Sequence, residues 1–311
     1  MNRNIYIDCT DTVVSRLKTG IQRTVNSIVK VAVCQTTDYD AYPVISCIGN
    51  YYLYNPRSSL YFAHTLSNFF KYIRNVLAVV HARIKPQEIH LHDSPPNNKK
   101  SLVSVLPILA LCRTIMSFMF WCAFQLDGAF VGRKMLVMRD EDILFLPDLF
   151  WKSDLEAAIC RCNAIKILLI YDVIALDHPE FFEDIQVMEF GWHLERVLGQ
   201  VEGVMTISLS EMNNILKYSQ RNNKNLIHDY NHLGHDFSES STATACSVSG
   251  VVSEVFSKSG SVYLMVGTIE PRKNHVLALS AFRKLWEKGY NVTLCIIGQI
   301  GWKCDEMDAA I

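Results

Sequence analysis

The sequence lacks the cysteine spacing that disulfide frameworks and zinc-binding modules require. Its 311 residues contain ten cysteines, but no CxxC pair occurs, and Cys160 and Cys162 form a lone CxC. Structural zinc sites use closely paired thiolates, and small secreted scaffolds use regular arrays of disulfides. We therefore expect thiols that are mostly buried and remain reduced, as in a cytosolic protein.

The chain also lacks an excess of either charge. Its 30 Lys and Arg against 31 Asp and Glu give a formal net charge of −1, which argues against a general nucleic-acid-binding protein. The range 55–113 nevertheless carries eight basic and two acidic residues, and its apolar residues from Phe62 to Val80 recur at helical spacing. A basic segment with an amphipathic helix favours contact with an anionic membrane surface or an anionic substrate.

The sequence shows little sign of a membrane anchor, although one segment could be read as a span. The opening residues MNRNIYIDCTD become polar and acidic where the apolar core of a signal peptide would lie, so we expect no signal peptide. The apolar segment Leu102–Leu126 is long enough to span a bilayer, but Pro107 and Arg113 interrupt it. Because an arginine near mid-span is costly in lipid, we expect a buried or interfacial helix rather than a span.

Apolar runs that predict strands alternate with helical patterns along most of the chain. NIYIDCTD predicts a strand, and apolar residues from Ile21 to Val29 follow at helical spacing after a turn glycine, Gly20. Further strands are predicted in YPVISCIGNYYLYN, DILFLPDLFW, AIKILLIYDVIAL, EGVMTISLS and KNLIHDYNHLGHDF. This alternation predicts an α/β fold with a doubly wound parallel sheet.

The composition changes near residue 238. The range 238–260 is dominated by Ser, Thr, Ala, Val and Gly, which is typical of a linker. Beyond it, SVYLMVGTI, HVLALSAFRKLWEKGY and NVTLCIIGQIGW predict a strand, a helix and a strand. We therefore predict an N-terminal domain at 1–237, a linker at 238–260 and the beginning of a second domain at 261–311.

Two neighbouring cations follow the predicted strand SVYLMVGTI. Arg272 and Lys273 would lie at the carboxyl end of a parallel strand, where open α/β sheets bind ligands. A guanidinium fork beside a compact ammonium suits a phosphate or pyrophosphate. The alternative is a solvated pair in a surface loop, but the glycine and the proline just before them constrain the loop and favour a binding role. Gly20, similarly, either lets an anion approach a helix N-terminus or only forms a turn.

Three histidines raise the possibility of a metal site. His228, His232 and His235 are spaced by four and three residues, so on a helix they would share one face. KNLIHDYNHLGHDF instead predicts a strand, in which alternation scatters these side chains to both faces. We therefore predict no metal site.

The segment VGTIEPRKNH, the helix LALSAFRKLWEKG and the strand VTLCIIGQIGW resemble the beginning of the donor domain of GT-B glycosyltransferases. The resemblance is closest to glycosyltransferase family 4 and, within it, to bacterial O-antigen mannosyltransferases. TGIQR, DILFLPDLFW, YDVIALDHPEFF and HLGHDF match landmarks of that subgroup in the same order, whereas Tyr61–Leu126 has no counterpart. The resemblance implies an α/β fold of GT-B type, with two Rossmann-like domains of which the second is incomplete.

The resemblance also implies an activity. We expect a retaining transferase that moves a hexose, mannose from GDP-mannose, onto a lipid-linked or surface-polysaccharide glycan in lipopolysaccharide biosynthesis, with no metal or other cofactor. Arg272 and Lys273 match the catalytic pair that stabilises charge on the departing diphosphate. Gly20 matches the loop glycine that faces the donor phosphates. The expected location is the cytoplasm, with peripheral contact to the inner face of the plasma membrane through 55–113.

Four further expectations concern the acceptor side of the site. By the resemblance, Asp172 orients an acceptor hydroxyl or stabilises positive charge on the sugar ring; the alternative is a carboxylate that caps the following turn. Many relatives carry a histidine immediately before this aspartate, where this chain has Tyr171. We expect Tyr171, Asp177 and His178 to lie on the acceptor side.

One landmark of the family is missing. Its second domain carries two glutamates separated by seven residues, which hold the ribose and the sugar of the donor, and no such pair occurs in this sequence. We therefore expect a truncated chain with impaired transfer. The alternatives are a non-catalytic remnant that keeps acceptor or membrane binding, and a Rossmann-like module of another function. The absence of GxGxxG after the first strand weighs against the second alternative.

Overall fold

The computed structural model describes residues 3–15, 19–34, 39–69, 115–116, 118–132, 135–151, 155–219, 226–234, 250–257 and 260–304. The chain divides into two compact units. The first comprises Met1–Asp172 and His193–Leu233, and the second comprises Val173–Trp192 and Gly234–Ile311. A segment from the middle of the chain therefore belongs to the second unit.

The first unit is built on a sheet of seven strands in the order β3-β2-β1-β4-β5-β6-β7. All neighbouring strands run parallel except β2 and β3. Val44, Ile45, Leu144 and Leu168 are completely buried in it, as expected for a parallel sheet covered on both faces. The strands are β1 (Asn4–Asp8), β2 (Asp40–Cys47), β3 (Asn50–Leu53), β4 (Ile143–Leu146), β5 (Ile165–Ile170), β6 (Gly203–Thr206) and β7 (Ile227–Tyr230). The predicted α/β class with a mostly parallel sheet is confirmed.

Helices connect the parallel strands, because parallel pairing requires long crossovers. The predicted helix after Gly20 is present, with Val25 fully buried against the core and Ile21 and Val29 packed beside it. The helices of this unit are α1 (Thr10–Ser15), α2 (Gly20–Cys34), α3 (61–69), α4 (118–126), α5 (Leu155–Arg161) and α8 (Leu209–Ser219).

The run YPVISCIGNYYLYN, predicted as one strand region, forms a hairpin of β2 and β3. Cys47 pairs with Asn50 across a two-residue loop, Ile48 and Gly49, whose φ angles are both positive at 52° and 66°. Hairpins of this length favour such angles because their twist matches that of the strands. The turn escaped prediction because isoleucine rarely adopts them.

Two predicted helical segments lie partly outside the described residues. Of the helix predicted from Phe62 to Val80, only 62–69 is described. Within Leu102–Leu126, the helical residues 115–116 and 118–126 are described. Most of the basic range 55–113 is likewise not described. Among the residues that are, no helix combines the length and the apolar character needed to cross a bilayer.

The second unit contains a pair of parallel strands, β8 (Ser261–Val266) and β9 (Val292–Ile297), joined by α10 (His275–Glu287). Before them lies α9 (Gly250–Ser257), so the predicted linker 238–260 contains a helix, and its residues up to 249 are not described. The domain boundaries remain a prediction. The segment Val173–Trp192 adds α6 (Ile174–Asp177), a 3-10 turn (Pro179–Phe181) and the first part of α7 (Asp184–Leu198).

The two strands of the second unit approach each other closely at their carboxyl ends. A Cβ atom on Gly298 would lie 1.7 Å from the carbonyl oxygen of Gly267, so only glycine is compatible with this approach. None of the described hydrophobic side chains from residue 250 onward is buried; Val266 is 70% and Ile297 57% exposed. This exposure agrees with the expectation that two strands and one helix do not close a core.

Candidate functional site

Asn274 fixes the turn that presents the predicted cations. A 3-10 turn, Pro271–Lys273, ends at Asn274, whose backbone N–H donates to the carbonyl oxygen of Pro271 at 2.9 Å. Asn274 has φ 55° and ψ 43°, a left-handed conformation that asparagine tolerates better than most residues. Its side-chain oxygen accepts a hydrogen bond from the N–H of Leu277 at 3.3 Å and so caps α10.

A pocket of about 530 Å³ opens beside this turn within the second unit. Its wall is formed by residues of 180–181, 269–276 and 303–304. Arg272 is one of them, whereas Lys273 is not. Lys303, which sequence reasoning did not single out, supplies a second cation. The pocket has the size of a small-molecule site.

Glu270 lies buried on the same wall, next to Arg272. Its Oε1 atom is 2.7 Å from Nη2 of Arg272, and the residue is 4% exposed. The contact is ionic without a well-aligned hydrogen bond, since neither carboxylate oxygen has a hydrogen-bond partner among the described residues. A buried carboxylate needs a nearby cation, so Arg272 compensates Glu270 and Glu270 in turn fixes the guanidinium at the pocket.

His275, the first residue of α10, is the second buried polar group of this pocket. It is 3% exposed, and neither ring nitrogen has a hydrogen-bond partner in the described part of the chain. Most buried polar side chains in folded proteins are hydrogen-bonded. A histidine of this kind at a pocket wall therefore indicates a group that a bound molecule would satisfy.

The loop after β9 is held against the segment around Phe181. The indole Nε1 of Trp302 donates to the carbonyl oxygen of Phe181 at 2.7 Å, and its ring stacks on Phe182 with centroids 5.7 Å apart. Nζ of Lys303 donates to the carbonyl oxygen of Glu180 at 3.1 Å. These contacts place an ammonium group at the pocket from a loop other than the one that carries Arg272.

The predicted acceptor-side residues divide between the two units. Asp177 ends α6 and His178 follows it, both in the second unit, where Nδ1 of His178 lies 3.2 Å from a carboxylate oxygen of Glu180. Neither lines the 530 Å³ pocket. Tyr171 and Asp172 belong to the first unit.

Tyr171 and Asp172 line a small pocket of about 40 Å³ in the first unit. The hydroxyl of Tyr171 donates to the carbonyl oxygen of Pro147 at 2.9 Å, and burial raises its pKa. Asp172 is exposed. Tyr171 is thus engaged in holding the end of β5, whereas the carboxylate of Asp172 is accessible to solvent.

Gly20 is the first residue of α2. A Cβ atom at this position would meet no atom within 4 Å. No contact among the described residues therefore requires glycine there, and its role in approaching a phosphate remains a prediction.

A buried acidic cluster lies where the strand order of the first sheet reverses, between β1 and β4, the usual ligand position in open α/β sheets. Asp148 accepts hydrogen bonds from the N–H (2.7 Å) and hydroxyl (3.1 Å) of Thr12 and from the N–H of Leu149 (2.9 Å). Asp8 accepts two from Thr10, at 2.8 and 2.6 Å. These carboxylates thus satisfy N–H groups at the start of α1.

The space that Asp8 and Asp148 share does not admit a water molecule, and Asp148 also lines the 40 Å³ pocket of Tyr171 and Asp172. Burial raises the pKa of Asp8 to about 6, against the hydrogen bonds from Thr10. Burial likewise raises the pKa of Asp148 to about 7, with the charge of Asp8 adding to the effect. The hydrogen bonds that both carboxylates accept from their own chain give the cluster a structural role at the usual ligand position.

The predicted histidine group is only partly described. Nε2 of His228 lies 3.0 Å from the hydroxyl of Ser219, His232 is exposed, and His235 lies outside the described residues. In the part of the chain that the structure covers, no three His, Cys, Asp or Glu side chains converge as metal ligands. The absence of a metal site remains a prediction.

Comparison with known proteins connects the pocket to a family. Residues 252–308 match the model of the family described as Glycosyl transferases group 1. The match includes β8, the Asn274 turn, α10 and β9, hence most of the pocket wall. This part of the chain is similar to glycosyltransferases.

Similarity to individual proteins extends over a longer stretch. Three Escherichia coli proteins, each named Serotype-specific mannosyltransferase WbdA, are 27%, 26% and 26% identical to this chain over 180, 181 and 181 residues. The alignments cover 56% of this chain but 22%, 22% and 21% of the relatives, so the chain spans about a fifth of their length. Together with the family match, this supports glycosyl transfer, and the α/β architecture is consistent with a GT-B fold.

Proposed function

We propose that this chain is a glycosyltransferase of family 4 and that the pocket of its second unit binds the diphosphate of a nucleotide sugar. The observation that carries the proposal is the guanidinium of Arg272 on the wall of a 530 Å³ pocket, within residues that match a glycosyltransferase family. Lys303 supports it by adding a second cation from another loop.

The chemistry follows from where charge develops. When the glycosidic bond of the donor breaks, negative charge grows on the departing diphosphate, and cations already in place stabilise that charge most in the transition state. A guanidinium offers a planar two-donor fork for phosphate oxygens, whereas an ammonium acts as a point charge. Arg272 fills the first role and Lys303 the second, while Lys273 remains a predicted contact through the family resemblance. This arrangement needs no metal ion.

For the substrates we propose mannose from GDP-mannose as the donated sugar and a glycan or lipid-linked glycan of the O-antigen and lipopolysaccharide class as the acceptor, with retention of configuration. The names of the three E. coli relatives support the choice of mannose. Asp172 would act on the acceptor or the sugar ring, with Tyr171, Asp177 and His178 on the acceptor side and Gly20 at the donor phosphates. We place the protein in the cytoplasm, with peripheral membrane contact through 55–113.

A second candidate is donor binding without efficient transfer. The sequence contains no pair of glutamates separated by seven residues, the family's device for holding ribose and sugar. On this proposal the chain binds the donor diphosphate but turns over slowly.

Calorimetric titration of the 311-residue chain with GDP-mannose tests both candidates. We expect measurable binding that Arg272→Ala weakens by tenfold or more and that Lys288→Ala, an exposed cation elsewhere in the same unit, leaves unchanged. An assay of the transfer of radiolabelled mannose to lipid-linked acceptors then distinguishes the two candidate functions. Transfer at ordinary rates supports the enzyme, binding without transfer supports the second candidate, and no binding contradicts both.

A further inference from the structure

We propose that Glu270 and His275 form a hydroxyl-binding pair that recognises the sugar hydroxyls of the ligand in the second-unit pocket. This inference rests on the proposed donor-binding function, and it assigns the recognition of the sugar to residues that the predicted diphosphate contacts do not include.

The first argument is burial without internal partners. Glu270 and His275 are 4% and 3% exposed, and both line the pocket. Among the described residues, no hydrogen bond reaches either carboxylate oxygen or either ring nitrogen. Oε1 of Glu270 has its ionic contact with Arg272, whereas Oε2 and both ring nitrogens of His275 have no such contact among the described residues. A buried polar atom without a partner is destabilising, so these three atoms on one wall favour a ligand that hydrogen-bonds to them.

The second argument is the kind of ligand atom that fits. A carboxylate accepts hydrogen bonds only, whereas a neutral imidazole donates from one nitrogen and accepts at the other. Phosphate oxygens accept and carry negative charge, so they suit Arg272 and Lys303 and are repelled by Glu270. Hydroxyl groups both donate and accept. Two neighbouring hydroxyls of a ribose or a hexose would satisfy Glu270 and His275 together.

The alternative is that Glu270 only positions Arg272 through their 2.7 Å contact. Loss of Glu270 would then affect the binding of every diphosphate ligand alike. On the hydroxyl-binding proposal, its loss affects sugar-bearing ligands selectively, because inorganic pyrophosphate has no hydroxyl for it to accept from. Removing the carboxylate also removes an anion that competes with pyrophosphate for Arg272.

The experiment compares inorganic pyrophosphate, GDP and GDP-mannose by calorimetry at one ionic strength, with the full chain and four variants. Glu270→Leu removes both acceptor oxygens and Glu270→Gln keeps one; His275→Phe removes both ring nitrogens; Glu287→Leu alters an exposed carboxylate on α10 as the control. Pyrophosphate binding by each variant shows that its pocket is folded.

We expect the affinity for a sugar-bearing ligand, relative to pyrophosphate, to fall by tenfold or more in Glu270→Leu and His275→Phe and by less in Glu270→Gln. The control should equal the unaltered chain. A loss seen already with GDP assigns the pair to ribose, and a loss seen only with GDP-mannose assigns it to the hexose.

Two results would overturn the inference while leaving the donor site in place. One is that the unaltered chain binds all three ligands equally well, because the sugar hydroxyls would then add no affinity. This result requires no variant. The other is a variant series in which all three affinities fall together, as expected if Glu270 only positions Arg272. If pyrophosphate and both nucleotides fail to bind the unaltered chain, the donor-binding proposal itself is wrong.

Discussion

Both units bury a carboxylate shortly after a parallel strand, but they surround it differently. In the first unit Asp148 accepts three hydrogen bonds and lines only a small pocket, of about 40 Å³. In the second unit Glu270 accepts none from the described residues and faces a pocket of about 530 Å³. The two residues are almost equally buried, at 6% and 4% exposure.

Burial therefore does not separate a structural carboxylate from a ligand-binding one in this molecule. The two kinds of carboxylate differ instead in how many hydrogen bonds they accept and in how much open space lies beside them. Asp148 supplies acceptors to N–H groups at the start of α1, so its partners are part of the fold. Glu270 has a charge partner, Arg272, and unused acceptor capacity beside open space. The rule that ligands bind where the strand order reverses would point to Asp148. Of the two carboxylates, however, Asp148 is the less suitable for binding a ligand.

The largest expected effect is a pH dependence that arises from Asp8 and Asp148 in the first unit. Burial gives Asp148 a pKa of about 7 and Asp8 one of about 6 in the folded state, above the ordinary value of 3.8. A folded-state pKa that is raised contributes stability below the unfolded pKa and loses it as pH rises through the folded value. Stability should therefore decline from about pH 4 to about pH 7 and then level off.

The measurement compares the unaltered chain with Asp148→Asn by urea denaturation at several pH values. Because one pKa unit corresponds to about 1.4 kcal/mol, the unaltered chain should lose roughly 4 kcal/mol relative to the variant between pH 4 and pH 8. The charge of the nearby Asp11 raises the pKa of Asp8 in both proteins, so the comparison isolates Asp148. Parallel curves for the two proteins would contradict the buried, raised-pKa interpretation of Asp148.

The next effect in size is that of removing the acceptors altogether. Asp148→Ala leaves the N–H groups of Thr12 and Leu149 without their acceptor, which should lower the free energy of unfolding by about 2–3 kcal/mol at pH 6. The exposed Asp140→Ala is the matched control and should change it by less than about 0.5 kcal/mol. Equal stabilities would mean that the Asp148 hydrogen bonds are not structural.

Much of the fold was predictable because it depends on local pattern. Apolar runs and helical spacing identified β1 with α2, and β8 with α10 and β9, since strand and helix periods differ. The position of Arg272 was predictable because it follows a strand in a loop constrained by proline, whereas its catalytic role stays a prediction. These signals lie within a few residues of the features that they predict.

The parts that escaped prediction depend on distant contacts. His275 resembles any residue at the start of a helix, and its lack of partners becomes visible only in the folded wall. The assignment of Val173–Trp192 to the second unit is set by contacts such as that of Trp302 with Phe181, 121 positions apart. Lys303 had a usable signal: it follows β9, the parallel neighbour of β8, and the carboxyl ends of parallel neighbours meet.

A smaller effect shows whether Lys303, which lines the pocket, or Lys273, the sequence neighbour of Arg272, contributes more to phosphate binding. If the pocket wall determines phosphate binding, Lys303→Met should weaken pyrophosphate binding about tenfold, or about 1.4 kcal/mol. Lys273→Met should weaken it less, because Lys273 does not line the pocket. Calorimetry at two salt concentrations measures both, and the loss should shrink at high salt. The reverse ranking would favour the pair Arg272 and Lys273 that the family resemblance predicts.

The smallest expected effect is that of neutralising Glu270 on the free energy of unfolding. A carboxylate that accepts no hydrogen bonds from its own chain contributes little to folding, and neutralising it removes a buried charge along with its contact to a partly exposed arginine. Glu270→Gln should therefore change the free energy of unfolding by less than about 1 kcal/mol, in contrast to Asp148→Ala. Urea denaturation of both variants beside the unaltered chain gives the comparison. A loss as large as that of Asp148→Ala would show that Glu270 is a structural carboxylate after all, and the distinction between the two units would fail.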